Sequence, residues 1–148
     1  LKQSRQAKQS RLHLLNSKLK QQLSHMALLC SAFDCMDCGC VDTGSIVISK
    51  KSLSTSFVDT CSVLTFKFNN KNYMAHVDDH DTTMESRLTS SLLHIMKHLD
   101  KVENFLIYRG DKCINNCKSY LIIRRVLKKF NIENITVYQL GGDFKVII

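Results

Sequence analysis

Two side chains near the middle of this chain could do chemistry together, Cys61 and His76. An imidazole beside a thiol can take its proton, and the resulting imidazolium then holds the thiolate. That pair is an activated nucleophile for acyl transfer. The two residues are separated in sequence, so the chemistry depends on what brings them together. Residues 61–68, CSVLTFKF, are rich in β-branched and aromatic types; residues 69–72, NNKN, carry a turn signal; residues 72–77, NYMAHV, read as a returning strand.

The register of this hairpin decides whether thiol and imidazole meet. Side chains alternate faces with period two, and with an even-numbered loop the opposed positions sum to an odd number. Leu64, Phe66 and Phe68 then share an apolar face with Tyr73, Ala75 and Val77. Cys61, Val63, Thr65 and Lys67 share the other face with Asn72, Met74 and His76. Cys61 and His76 become diagonal neighbours at one end, a relation that spans roughly 7–8 Å. An odd loop would put them on opposite faces. The plainer alternative is a half-buried cysteine next to a surface histidine.

The rest of the chain must supply a scaffold for this hairpin. At 148 residues it has the size of one domain with a real core, and no apolar run approaches the roughly 20 residues that cross a bilayer. Net charge is +8, carried by the N-terminal arm: residues 1–29 hold six basic residues and no acid, whereas residues 30–148 hold 15 basic and 13 acidic ones. Leu12, Leu15, Leu19, Leu23 and Met26 give residues 10–29 the spacing of an amphipathic helix. Such a basic arm suits a solvated helix face, packing on the domain, nucleic acid, an acidic surface or a partner helix. The domain itself does not point to nucleic acid, because no aromatic pair sits where bases would stack.

Seven cysteines, at 30, 35, 38, 40, 61, 113 and 117, are an odd number in a chain without the look of a small secreted scaffold. That favours free thiols and a reducing, cytoplasmic compartment. Four of them crowd into the loop 30–44, too tightly spaced for two ordinary zinc knuckles and with no interleaved histidine. Beyond the loop, 45–50 reads as a strand and 51–60 as a Ser/Thr-rich connection before the hairpin. Residues 78–84 form a loop whose Asp and Thr can cap a helix over 85–101, with Leu88, Leu92, Ile95, Met96 and Leu99 on one side and His94 and His98 on a solvated face. A strand follows at 104–109. A helix over 114–130 comes next, apolar at Leu121, Ile122, Val126, Leu127 and Phe130 and basic at Arg124, Arg125, Lys128 and Lys129. Strands at 134–140 and 144–148 complete the chain. This order predicts an α+β fold, a mixed sheet or β-sandwich with helices outside, organised as arm 1–29, Cys-rich loop 30–44 and domain 45–148.

Residues 45–148 carry a further pattern. Thr55 precedes Cys61 by six residues, Met74-Ala75-His76-Val77 carries the histidine, His76-x-Asp78-x-x-Asp81-Thr82 follows, and Gly141-Gly142 comes after the helix and strand. In this the chain resembles the cysteine-dependent protein deamidases of the CheD chemoreceptor type, the protein N-terminal asparagine amidohydrolases and, more distantly, the cytotoxic necrotizing factor toxins. Those families share a Cys–His site on a β-sandwich. The CheD-type proteins carry Gly-Ser before the nucleophile, where this chain has Asp59-Thr60. The resemblance implies that Cys61 attacks the side-chain amide of Gln or Asn in a protein substrate. It implies that His76 serves as base and then acid, that Thr55 orients His76, and that no metal or cofactor takes part.

Two other chemistries compete. His76, Asp78, Asp79, His80 and Asp81 form a dense H-V-D-D-H-D run that could serve a metal-dependent hydrolase, although the remaining chain offers few further ligands. Alternatively, the fold is kept as a binding module without catalysis, which the missing glycine before Cys61 would suit.

Overall fold

The structure is a computed structural model that describes residues 38–56, 58–102, 104–141 and 146–148. The predicted helix 10–29 and most of the Cys-rich loop lie outside the described residues.

The hairpin forms the centre of the fold. Strands β4 (Ser62–Phe68) and β5 (Lys71–Val77) pair antiparallel from Ser62↔Val77 to Phe68↔Lys71, which leaves a two-residue loop. Asn69 and Asn70 both take positive φ, 47° and 60°, the left-handed conformation that a tight hairpin turn demands and Asn tolerates. The even loop sets the predicted register, so the two faces divide as expected. Strand β2 (Ile46–Ser49) pairs with β5, strand β6 (Phe105–Arg109) pairs with β4, and strand β7 (Ile135–Gln139) runs parallel to β6. The result is a five-stranded mixed sheet in the order β2-β5-β4-β6-β7. A second, three-stranded sheet has the order β1-β3-β8, from β1 (Gly39–Cys40), β3 (Leu53–Thr55) and β8 (Val146–Ile147).

Helices α1 (Met84–Ile95) and α2 (Lys118–Lys129) cover one face of the large sheet. Met84, Leu88, Leu92 and Ile95 of α1 and Ile123, Val126 and Leu127 of α2 bury against Leu64, Phe66, Tyr73, Phe105 and Ile107. Phe66 is the hub, its ring 4.4 Å from Tyr73 and 4.6 Å from Phe105. Glu85 of α1 forks onto Arg125 of α2 at 3.2 Å, joining the helices at the surface. The small sheet packs on the other face: Val41, Leu53 and Val146 join Val58, Cys61, Val63 and Met74 in a second core. The architecture is therefore α+β with mixed sheets, in three layers.

Several element boundaries differ from the sequence reading. Helix α1 ends at Ile95, and residues Met96–Lys101 tighten into a 3₁₀ turn, so Met96 swings out to 52% exposure instead of joining the apolar side. Helix α2 starts at Lys118 rather than 114, because Asn115 takes positive φ (57°) and Cys113 is bonded to Cys117 just before it. The Ser/Thr-rich connection contains a strand, β3, which carries Thr55.

Candidate Cys–His site

The site lies on the small-sheet side of the hairpin, at the end away from the Asn69-Asn70 turn. His76 stands one position from the end of β5, opposite Val63. Its backbone is held by the turn before β2: His76 N–H donates to Ser45 O at 3.0 Å and Gly44 N–H to His76 O at 2.8 Å. Gly44 takes φ +80° there, which suits glycine. Cys61 immediately precedes β4, on the same face as Val63 and hence as His76.

Thr55 reaches His76 from the second sheet. The Thr55 hydroxyl donates to Val41 O at 2.6 Å and its oxygen lies 2.7 Å from His76 Nδ1. Since the hydroxyl has one proton and Val41 O can only accept, that proton is committed to Val41. The Thr55–His76 contact must then run the other way, with Nδ1–H donating to Thr55 Oγ1. This fixes the tautomer and leaves Nε2 with a bare lone pair. Nε2 has no hydrogen-bond partner among the described residues, although His76 is 0% exposed.

Thr55 and His76 are thus in direct contact, and Cys61 shares their face one diagonal step away. Sulfur and Nε2 are not hydrogen-bonded to each other. Electrostatics keep both groups neutral at rest. Burial, reinforced by Asp78, Asp79 and Asp59, pushes the Cys61 thiol up to about 12, while the backbone of Asp79 pulls the other way. Burial pulls His76 down to about 4, with Asp78 opposing. A preformed thiolate–imidazolium pair is therefore not the resting state. Cys61 is 7% exposed, and two surface depressions, of about 640 and 560 Å³, are lined by other residues.

The loop around the thiol is clamped by residues that sequence reasoning missed. Gly110 N–H donates to Cys61 O at 3.0 Å, and a Cβ at residue 110 would lie 2.1 Å from both Val58 O and Asp59 O. Only glycine, just after β6, lets the two backbones come this close. Ser119, buried in the first turn of α2, donates through Oγ to Thr60 O at 2.8 Å and through its N–H to Asp79 Oδ1 at 2.6 Å. The partners in the two Ser119 contacts are 40 and 59 positions apart, and no local motif announces them.

The cysteines depart from the free-thiol expectation. Cys113 and Cys117 form a disulfide, Cys38 and Cys40 are also disulfide-bonded, and Cys61 is the free thiol among the described residues. The H-V-D-D-H-D run does not converge either. Asp79 caps α2, Asp81 holds Thr83 and Arg87, Asp78 accepts from His80 N–H, and His76 Nδ1 is committed to Thr55. Among the described residues no three His, Cys, Asp or Glu side chains are grouped as metal ligands. No described helix is long and apolar enough to cross a membrane. No protein-family model matches the chain, and no curated protein matches it.

Proposed function

We propose that the chain is a cysteine-dependent amidohydrolase that converts a Gln or Asn side-chain amide of a protein substrate to the acid. The observation that carries this reading is the Val41 O, Thr55 Oγ1, His76 Nδ1 relay. It leaves a buried imidazole with a bare Nε2 on the face that carries the one free thiol among the described residues. The family resemblance assigns the same three residues, Thr55, Cys61 and His76.

Because both groups are neutral at rest, the proton moves as the bond forms. Sγ attacks the amide carbon while the thiol proton passes to Nε2. Backbone N–H groups beside Cys61 hold the oxyanion. Nε2–H then protonates the departing amide nitrogen, ammonia leaves and a thioester remains. Water attacks the thioester carbon, giving its proton to Nε2, and the carboxylic acid and thiol are restored. Thr55 keeps Nδ1 protonated throughout, so that Nε2 is always the nitrogen that exchanges protons. No metal or cofactor enters these steps.

The neutral, nearly covered thiol favours one other reading, a binding module that keeps the fold without the chemistry. One experiment separates the two: incubation with a panel of Gln- and Asn-containing peptides and proteins, internal and N-terminal, followed by mass spectrometry. The reading expects a gain of about 1 Da at the modified residue, one NH exchanged for O, and none with Cys61→Ser. Equal conversion by wild type and Cys61→Ser sinks it. The odd cysteine count favours a reducing, cytoplasmic compartment, whereas the paired cysteines suit an oxidising one. The basic arm 1–29 is assigned to an acidic surface or a partner helix on its charge and leucine spacing alone.

A further inference from the structure

We propose that the part of the large sheet left open beside the small sheet binds single-stranded nucleic acid. Tyr108 and Tyr138 form a shelf on which bases stack, and a lysine-lined cleft next to it seats the phosphates. This goes beyond the amidohydrolase reading and does not rest on it.

The shelf is made by register. Tyr108 is opposite Val63 and Leu106 is opposite Thr65, so both belong to the face under the small sheet. Strand β7 continues that face with Thr136 beside Leu106 and Tyr138 beside Tyr108. The two tyrosine rings stack, with centroids 5.2 Å apart and planes 19° from parallel. Tyr108 is half-buried and packs against the second core, which anchors the pair. Tyr138, on the edge strand, is 47% exposed. The tyrosines are far apart in sequence, and only the parallel pairing of β6 with β7 brings them together.

The cleft adjoins the shelf. It is the depression of about 640 Å³ at the Asn69-Asn70 end of the hairpin, and Leu106 lines it. Tyr108 is two residues further along β6 on the same face, roughly 7 Å away. The charged side chains of the cleft are Lys50, Lys67 and Lys71, and no Asp or Glu lines it among the described residues. Asn104 also lines it and donates through Nδ2 to Thr136 Oγ1 at 2.7 Å, which carries the polar edge across to β7.

Lysines alone would suit any polyanion. Exposed stacked rings on the same stretch of sheet select one whose charges alternate with flat, apolar groups. A positive groove beside aromatic side chains is how single strands are held, and because every base has a π-face such binding tolerates sequence. A duplex keeps its bases stacked on one another and offers none to Tyr138.

The test is fluorescence anisotropy of the full chain with labelled oligothymidylate and oligouridylate of about a dozen nucleotides, and with a duplex of equal length, over a range of salt. Single strands are expected to bind more tightly than the duplex. Tyr138→Ala should weaken single-strand binding on the order of tenfold without changing its salt dependence, and Tyr138→Phe should retain it. Lys50→Gln and Lys67→Gln should each lower the slope of log affinity against log salt by about 0.7. Both lysines are exposed, so these variants serve if Tyr138→Ala does not fold. The basic arm 1–29 can attract a polyanion by charge alone. Equal affinity for duplex and single strand, or full binding by Tyr138→Ala, would assign the binding to charge and overturn the proposal. So would unchanged salt slopes in both lysine variants, displacement of the native chain but not of Tyr138→Phe by heparin, or no binding at all. No amide conversion is read, so failure here leaves the amidohydrolase reading standing.

Discussion

The two faces of the β4–β5 hairpin are made by alternate residues of the same strands, yet they are built to different standards. The helix-covered face is closed and satisfied. Phe66, Tyr73 and Phe105 stack there, and the hydroxyls on it are bonded: Tyr73 Oη to Ser91 Oγ at 2.6 Å and Ser62 Oγ to Ser119 Oγ at 3.0 Å. The face under the small sheet is buried around Val63, Thr65, Met74 and His76, but His76 Nε2 and Thr65 Oγ1 have no partner among the described residues, and neither has Ser56 Oγ just after β3. An unpaired buried polar group costs about 1–3 kcal/mol. One face is therefore where stability is made, and the other, which carries the proposed Cys61–His76 site, is where some of it is given up.

Phe66→Ala should produce the largest loss, because it opens a cavity at the hub of the well-packed face. Equilibrium urea unfolding is expected to show a loss of about 4 kcal/mol. Below the transition, the pH profile of Cys61 alkylation by iodoacetamide should stay as in the native chain, since the thiol lies on the opposite side of the sheet. A destabilisation under 1.5 kcal/mol would mean that the two faces contribute alike.

The next effect is acid lability from the small-sheet face. His76 is neutral when folded, with its pKa lowered to about 4 by burial, whereas in the unfolded chain it titrates near 6.5. Between those values the unfolded state binds the extra proton, so stability is full above about pH 7, falls as pH drops toward 4 and then levels for this group. The expected loss across that interval is roughly 3 kcal/mol. Urea midpoints measured from pH 7 to pH 4 should slope accordingly, and His76→Asn should flatten the slope. An unchanged slope in the variant would show that His76 is solvated. On the alkaline side, Cys61 and Tyr73 are both raised by burial, so loss of stability above pH 9 belongs to the two faces jointly.

Thr55→Val is expected to cost about 2 kcal/mol, since it removes the donor to Val41 O and strands the Nδ1–H of His76. It should also free the imidazole to take the other tautomer, so turnover of any amide substrate falls more than the stability loss explains. The test is kcat at a temperature where the variant remains folded. Thr55→Ser, which keeps the hydroxyl, should recover most of both.

The contrast between the faces was legible in the sequence because it follows from local rules. Period two assigns each side chain to a face, and the even loop at Asn69-Asn70 fixes the register that puts Cys61 and His76 on one side. What the sequence hid was contributed from far away. Leu53-Ser54-Thr55 looks like connection because a three-residue strand among serines has no periodicity; it becomes a strand by pairing with residues 39–40 and 146–147. Gly110 is needed because residues 58 and 59 press on it, and nothing near position 110 records that. The start of α2 moved because Cys113 is bonded to Cys117, and the odd cysteine count argued against pairing at all.

The smallest effect has the opposite sign. Thr65 is on the small-sheet face, fully buried, with no partner for its hydroxyl among the described residues, and it is opposite Met74 in the ladder. Replacing it with valine keeps the shape and the β-branched fit to the strand while removing the stranded oxygen. Thr65→Val should therefore stabilise the chain by about 1 kcal/mol in urea unfolding. No substitution of a buried hydroxyl on the helix-covered face should do so, and Tyr73→Phe, which breaks the bond to Ser91, is the matched control expected to be neutral or destabilising. If Thr65→Val destabilises instead, its hydroxyl is satisfied by water, and the small-sheet face is wetter than its burial implies.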